Sequence, residues 1–180
     1  MANQLWVNSF GPWHIADATA VTASGALTEM TPTPQILIPY PAFSVPGTRL
    51  RFMARGRYTT TGTQGTATFD LRMGATAAIG SLTSVVASGA LTWVASQTSR
   101  PWKISGEVDL RTNGTAGTGV GWMDIENVVT QATDTPGIYV DTSTTATVNS
   151  TIANAIALGV TLSVASQSIT CRSFTVEVIN

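Results

Sequence analysis

The stretch from Thr48 to Met73, TRLRFMARGRYTTTGTQGTATFDLRM, alternates almost without a break. Leu50, Phe52, Ala54, Gly56 and Tyr58 hold the even positions. Arg49, Arg51, Met53, Arg55 and Arg57 hold the odd ones. Successive side chains on a strand point to opposite faces, so this segment has one face to bury and one cationic face. A helix needs apolar residues three and four apart, and that spacing fails here. After Thr60–Gly65 the alternation resumes. Ala67, Phe69, Leu71 and Met73 are expected inward; Thr66, Thr68, Asp70 and Arg72 are expected outward. Two alternating runs joined by a short Gly/Thr turn predict a β-hairpin. The arginine face is either a solvated sheet surface or a surface that docks a partner.

A second long run repeats the pattern. Trp102, Ile104, Gly106, Val108 and Leu110 alternate with Lys103, Ser105, Glu107, Asp109 and Arg111. Its mixed outer charge suits a place beside the arginine strand, where cross-strand pairs offset one another. The turn TNGTAGTG that follows is a strong hairpin signal. On the returning strand Val120 and Trp122 share one phase, whereas Met123, Ile125 and Val129 share the other. That predicts a bulge or a strand buried on both faces. Ile156, Leu158, Val160, Leu162 and Val164 alternate cleanly. In the last run Ile169 and Cys171 point one way, and Phe174, Val176 and Val178 take the other phase, which predicts a bulge near Arg172. Ile36–Ile38, a run near Leu91 and Trp93, and Ile138 with Val140 add short strands. About eight to ten strands with Gly/Thr turns predict an all-β, two-sheet antiparallel β-sandwich of jelly-roll type.

A chain of 180 residues suits one such domain. Residues 1–34 stand apart as an irregular N-terminal arm, broken at Pro12, Pro32 and Pro34, with the sandwich over 35–180. Trp6, Phe10, Trp13 and His14 lie on that arm, outside any periodic run. The arm either crosses its own sandwich or reaches a neighbouring subunit, and two tryptophans on a short arm favour the anchor role. Charged residues make up only 11% of the chain, against roughly 25% on average. Hydroxyl-rich outer faces and surfaces that rest on neighbours suit that balance. The formal charge of −1 gives no bulk attraction to nucleic acid or anionic membrane. No apolar run approaches the roughly 20 residues that span a bilayer. The N-terminus has neither the basic nor the apolar region of a secretion signal.

Catalytic chemistry finds little support. His14 is the sole histidine and Cys171 the sole cysteine, in distant segments, so neither a Ser-His-Asp set nor a metal site is indicated. Cys171 reads as a small buried core residue. Glu107 with Asp109, and Asp124 with Glu126, share strand faces as adjacent carboxylates commonly do on solvated sheets, and nothing marks a sugar cleft. Glycine turns without a following Lys-Ser/Thr do not cradle phosphate. Phe52 and Tyr58 face away from the arginines, which argues against a single-strand nucleic-acid platform. No cofactor is expected.

Three segments together resemble a family: TRLRFMARGRYTTTGTQGTATFDLRMG, SRPWKISGEVDLRTNGTAGTGVGWM and SQSITCRSFTVEVIN. They are similar to the jelly-roll capsid decoration and minor structural proteins of tailed actinobacteriophages, over roughly residues 36–180. The phrases G-T-x-L-R-F-x-A-x-G-R-Y and R-P-W-x-I-x-G-E-V-D-L-R carry the likeness. The resemblance implies a β-sandwich that forms a homotrimer on the outside of a capsid and ties capsomers together, with no enzymatic residues. The partners it implies are the major capsid protein and further copies of the chain. The expected location is the virion surface, after synthesis in the host cytoplasm. The expected interface residues are Trp6, Phe10, Trp13, His14, Arg49, Arg51, Arg55 and Arg57. The alternative is a phage tail or fibre module that binds host carbohydrate through exposed aromatic rings.

Overall fold

The computed structural model describes residues 8–10, 17–22, 25–31, 35–75, 78–126, 138–141 and 145–179, with the backbone alone at 8–10 and 138–141. Trp6, Trp13 and His14 lie outside the described residues. The strands in chain order are β1 (Asn8–Phe10), β2 (Thr28–Glu29), β3 (Ile36–Ile38), β4 (Arg49–Thr59), β5 (Thr66–Gly74), β6 (Thr83–Ala87) and β7 (Leu91–Thr92). They continue with β8 (Arg100–Thr112), β9 (Thr118–Glu126), β10 (Ile138–Asp141), β11 (Ala146–Thr147), β12 (Asn154–Leu162) and β13 (Ser168–Ile179). One 3-10 turn, Ile79–Ser81, is the only helical element among the described residues.

The strands form two antiparallel sheets, a β-sandwich. One sheet runs β1-β13-β4-β8-β9-β10, with β11 on β9; the other runs β2-β12-β5-β6, with β3 on β12 and β7 on β5. The even residues of β4 face inward as the alternation predicts, and Leu50, Phe52, Ala54 and Tyr58 are buried. Trp102, Ile104, Val108 and Leu110 on β8 and Phe69, Leu71 and Met73 on β5 join them in one core. A small second cluster of Ile79, Leu82 and Ala157, with Leu27 against it, covers the outside of the second sheet. Beneath that cover Asp70 is buried, held by Arg72 at 2.7 Å and by the Ser84 hydroxyl at 2.6 Å.

Two inward glycines on the β4–β8 ladder make room for rings. Gly106 lies opposite Phe52, and Gly56 opposite Trp102. A Cβ on Gly106 would stand 2.6 Å from the Phe52 ring; one on Gly56 would stand 2.9 Å from the Trp102 indole. Each ring lies over the bare backbone of the strand beside it, an arrangement that pins sheet register.

Two expectations need correction. β4 and β5 are not a hairpin, since β4 pairs β13 and β8 while β5 pairs β12, β6 and β7. Thr60–Gly65 carries the chain from one sheet to the other, tied on one side by Thr60 N–H to the Gln97 carbonyl and on the other by Thr66 N–H to the Ser163 hydroxyl. β9 keeps one phase throughout, with Val120 and Trp122 outward. Its inward positions include Gly119 and Gly121, which hide the period from a hydropathy reading. A Cβ on Gly121 would meet Val85 and Val86 of the facing sheet at 3.2 Å.

Of the two courses open to residues 1–34, the described parts take the first and lie along the molecule's own sandwich. β1 pairs β13, Val21 bridges Ile169, and β2 pairs β12. Val21 and Met30 are buried in the main core. Phe10, expected on the arm, sits in β1 opposite Val176. The short strands had no readable period, because two or three residues are too few to show one. The bulge near Arg172 is present: register shifts between Cys171 and Ser173, opposite Gly56 and Arg55.

Candidate functional site

The arginine face of β4 looks outward from the first sheet, flanked by β8 on one side and β13 on the other. The flanking strands split it in two. At one end Arg49 lies opposite Asp109 and Arg51 opposite Glu107. Arg49 Nε donates to Asp109 Oδ1 at 2.8 Å, and its Nη1 lies 3.2 Å from Glu107 Oε2. Arg51 grips Glu107 Oε1 from Nε and Nη2, both at 3.0 Å. Arg111 Nη2 reaches Asp109 Oδ2 at 3.5 Å. Glu107 is only 10% exposed in its side chain, beneath guanidiniums that are about half exposed. The expected offset by β8 is therefore found here. These carboxylates anchor arginines.

The other end is different. Arg55 lies opposite Lys103 on β8 and opposite Ser173 on β13. Arg57 lies opposite Pro101 and Thr170, and donates to the Ser99 carbonyl at 2.7 Å. Lys103 Nζ turns away to Glu126 on β9 at 2.6 Å. The β13 bulge presents Arg172, whose Nε lies 3.2 Å from the exposed Asp17 carboxylate. Arg55, Arg57, Lys103, Glu126 and Arg172 line an open recess of about 360 Å³ above Gly56 and Trp102.

Gly56 is required beneath this recess, because a Cβ there would collide with the Thr170 backbone. The bulge matters for the same spot. An extra residue in one strand re-aims its side chain, and here that residue is an arginine beside two others. Cys171, next to the bulge, is fully buried and donates to the Ser173 carbonyl at 3.3 Å. Burial pushes its thiol up to about 12, so it is not a nucleophile at neutral pH.

No family model, curated protein or solved structure matches this chain. The site therefore has to be read from its own chemistry. Of the expected interface residues, Arg49, Arg51, Arg55 and Arg57 share one surface. Phe10 lies at the far edge of the same sheet, in β1, two strands from β4. The sequence reading missed Lys103, Glu126, Asp17 and Arg172 as members of the site. The break in phase at Arg172 was the one available signal. Among the described residues no three His, Cys, Asp or Glu side chains group as a metal site requires.

Proposed function

We propose that this chain is a non-enzymatic virion structural protein, a jelly-roll decoration protein that coats the outside of a phage head as a homotrimer and stabilises it. The observation that carries this reading is where the three family-like phrases sit. They cover β4 with β5, β8 with much of β9, and β13; of these, β13, β4, β8 and β9 are consecutive in one sheet and β5 lies in the other. Strand order supports the same reading. Counting β1, the β2/β3 edge, β4, β5, β6, β8, β12 and β13 as first to eighth, the sheets run 1-8-3-6 and 2-7-4-5. Two interlocked Greek keys generate that order in a jelly roll. β9, with β10 and β11, is then an insertion between the sixth and seventh strands. A fold of this kind hosts many functions, so the assignment to a head rests on the resemblance and on the docking chemistry of the outer sheet.

The carbohydrate alternative gains less support. Trp93, Trp102, Tyr58, Phe52, Phe69 and Phe174 are all fully buried, which removes most of the described rings from any sugar-stacking surface. The test has two steps. Sedimentation of the purified protein should give the mass of a trimer. Added to undecorated heads of a tailed actinobacteriophage, it should co-sediment with them and raise the temperature at which they rupture. A protein that leaves such heads bare at every concentration, or that binds a glycan array instead, sinks the reading.

A further inference from the structure

We propose that the recess formed by Arg55, Arg57 and Arg172 is a docking pocket for a carboxylate side chain, an Asp or Glu presented by the partner protein on which this chain assembles. The inference rests on the assembly reading above and names the partner's chemistry. Its first support is a mismatch in register. At the other end of β4 each arginine faces an acid across the β8 ladder, but Arg55 faces Lys103. Like charges directly opposite on a sheet repel, and the pair is relieved when an anion sits between them.

The second support is a charge count. Arg55, Arg57, Lys103 and Arg172 bring four positive charges to the recess. Glu126 on Lys103 and Asp17 on Arg172 return two. Two positive charges are left, centred on Arg55 and Arg57, and no ion pair ties either of these arginines among the described residues. A guanidinium is a planar fork of donors that matches both oxygens of a carboxylate.

The third support is the shape of the field around the recess. A nucleic-acid strand needs cations spaced along its length. Here the neighbouring arginines, Arg49 and Arg51, are already held by Glu107 and Asp109. The unpaired positive charge is therefore gathered at one spot, which suits a single anionic side chain. The recess, at about 360 Å³, is also of the size that admits a side chain and its flanking backbone.

The test uses the full chain and a blocked glycine-rich peptide carrying one glutamate, with inorganic phosphate as a second probe, by isothermal titration at low salt. Wild-type protein should bind the peptide, and Arg55→Gln with Arg57→Gln together should weaken it about tenfold or more. Arg51→Gln should change it by less than about twofold, because that guanidinium is already engaged. Glu126→Gln frees Lys103 and should tighten binding, a gain that a misfolded variant cannot mimic. Peptide affinity that is indifferent to Arg55 and Arg57 overturns the proposal. So does phosphate binding tighter than the peptide. The same variants are then added to undecorated heads. If wild-type protein coats them and the double variant coats them equally well, the pocket assignment fails and the assembly reading stands. If wild-type protein coats no heads, the assembly reading fails, and the peptide titration still judges the pocket.

Discussion

Met30→Ala tests whether the first thirty residues are part of the fold or an appendage. Met30 is 1% exposed, sits in the main core cluster, and donates its backbone N–H to Leu158 at 3.0 Å. Truncating a buried methionine to alanine costs about 2–5 kcal/mol, the spread reflecting how far the cavity collapses. Total stability for a domain is about 5–15 kcal/mol, so the loss is a large share. With a urea dependence of about 1–3 kcal/mol per molar, the unfolding midpoint should fall by about 1 M or more. Thr22→Ala, an exposed position on the same segment, should stay within about 0.5 kcal/mol of wild type. The assay is equilibrium urea unfolding followed by tryptophan fluorescence, which reports on the buried Trp93 and Trp102. Suppose Met30→Ala unfolds at the wild-type midpoint with an unchanged slope. Residue 30 then contributes nothing to the core in solution, and the placement of β2 on β12 is wrong.

Three further outcomes follow from the same packing. Gly106→Ala should destabilise by about 1–3 kcal/mol, since its methyl meets the Trp122 carbonyl and the Phe52 ring, and Phe52→Leu in the same chain should return only the ring's part of that loss in a double-mutant cycle. Additive losses would exclude the ring contact. Alkaline pH should weaken the fold through Cys171: the unfolded thiol ionises near 9.0 and the folded one near 12, so the unfolded chain sheds its proton first. Stability should then drop by about 1.4 kcal/mol per pH unit above 9, and Cys171→Ala should flatten that slope. The Tyr58 phenol is also raised by burial, against a smaller opposing pull from Arg100, so it steepens the slope above pH 10.0 in both proteins. Glu107→Gln should cost about 1 kcal/mol or less, because Arg49 and Arg51 are half exposed, yet it should increase retention on heparin by freeing both. Unchanged retention would show that the carboxylate does not mask those arginines.

Much of this architecture is written in side-chain alternation, and its failures have physical causes. Alternation fixes which face of β4 is buried, and it placed β8 beside β4 through opposite charges. It does not choose a strand's neighbours, so the link from β4 to β5 read as a hairpin although it crosses between sheets. Glycine carries no hydropathy, so Gly119 and Gly121 concealed the phase of β9. β1 and β2 have three and two residues, too few to declare a period, and their pairing with β13 and β12 is a tertiary choice. The arginine face was legible as a face. Its division into a neutralised half and a cationic half was not, because it depends on partners some fifty to one hundred and twenty residues away in sequence.

That division follows from how the core sets the register. Phe52 over Gly106 and Trp102 over Gly56 are two keyed contacts on one ladder. Slipping β8 by one residue turns its buried face outward. Slipping it by two keeps the face but sets Phe52 against Ile104 or Val108, where a Cβ already fills the space that the ring needs. Only the observed register satisfies both keys. The same register sets Arg51 on Glu107 and Arg55 on Lys103, so the pairing of like charges is imposed from beneath by apolar packing. A like-charge pair fixed this way cannot relax by sliding. It is relieved by outward rotation of the side chains, by the carboxylate of Glu126, or by an anion arriving from outside, and Glu126 forms its ion pair with Lys103. The core that holds the sandwich together thereby also keeps a cationic recess open on its surface.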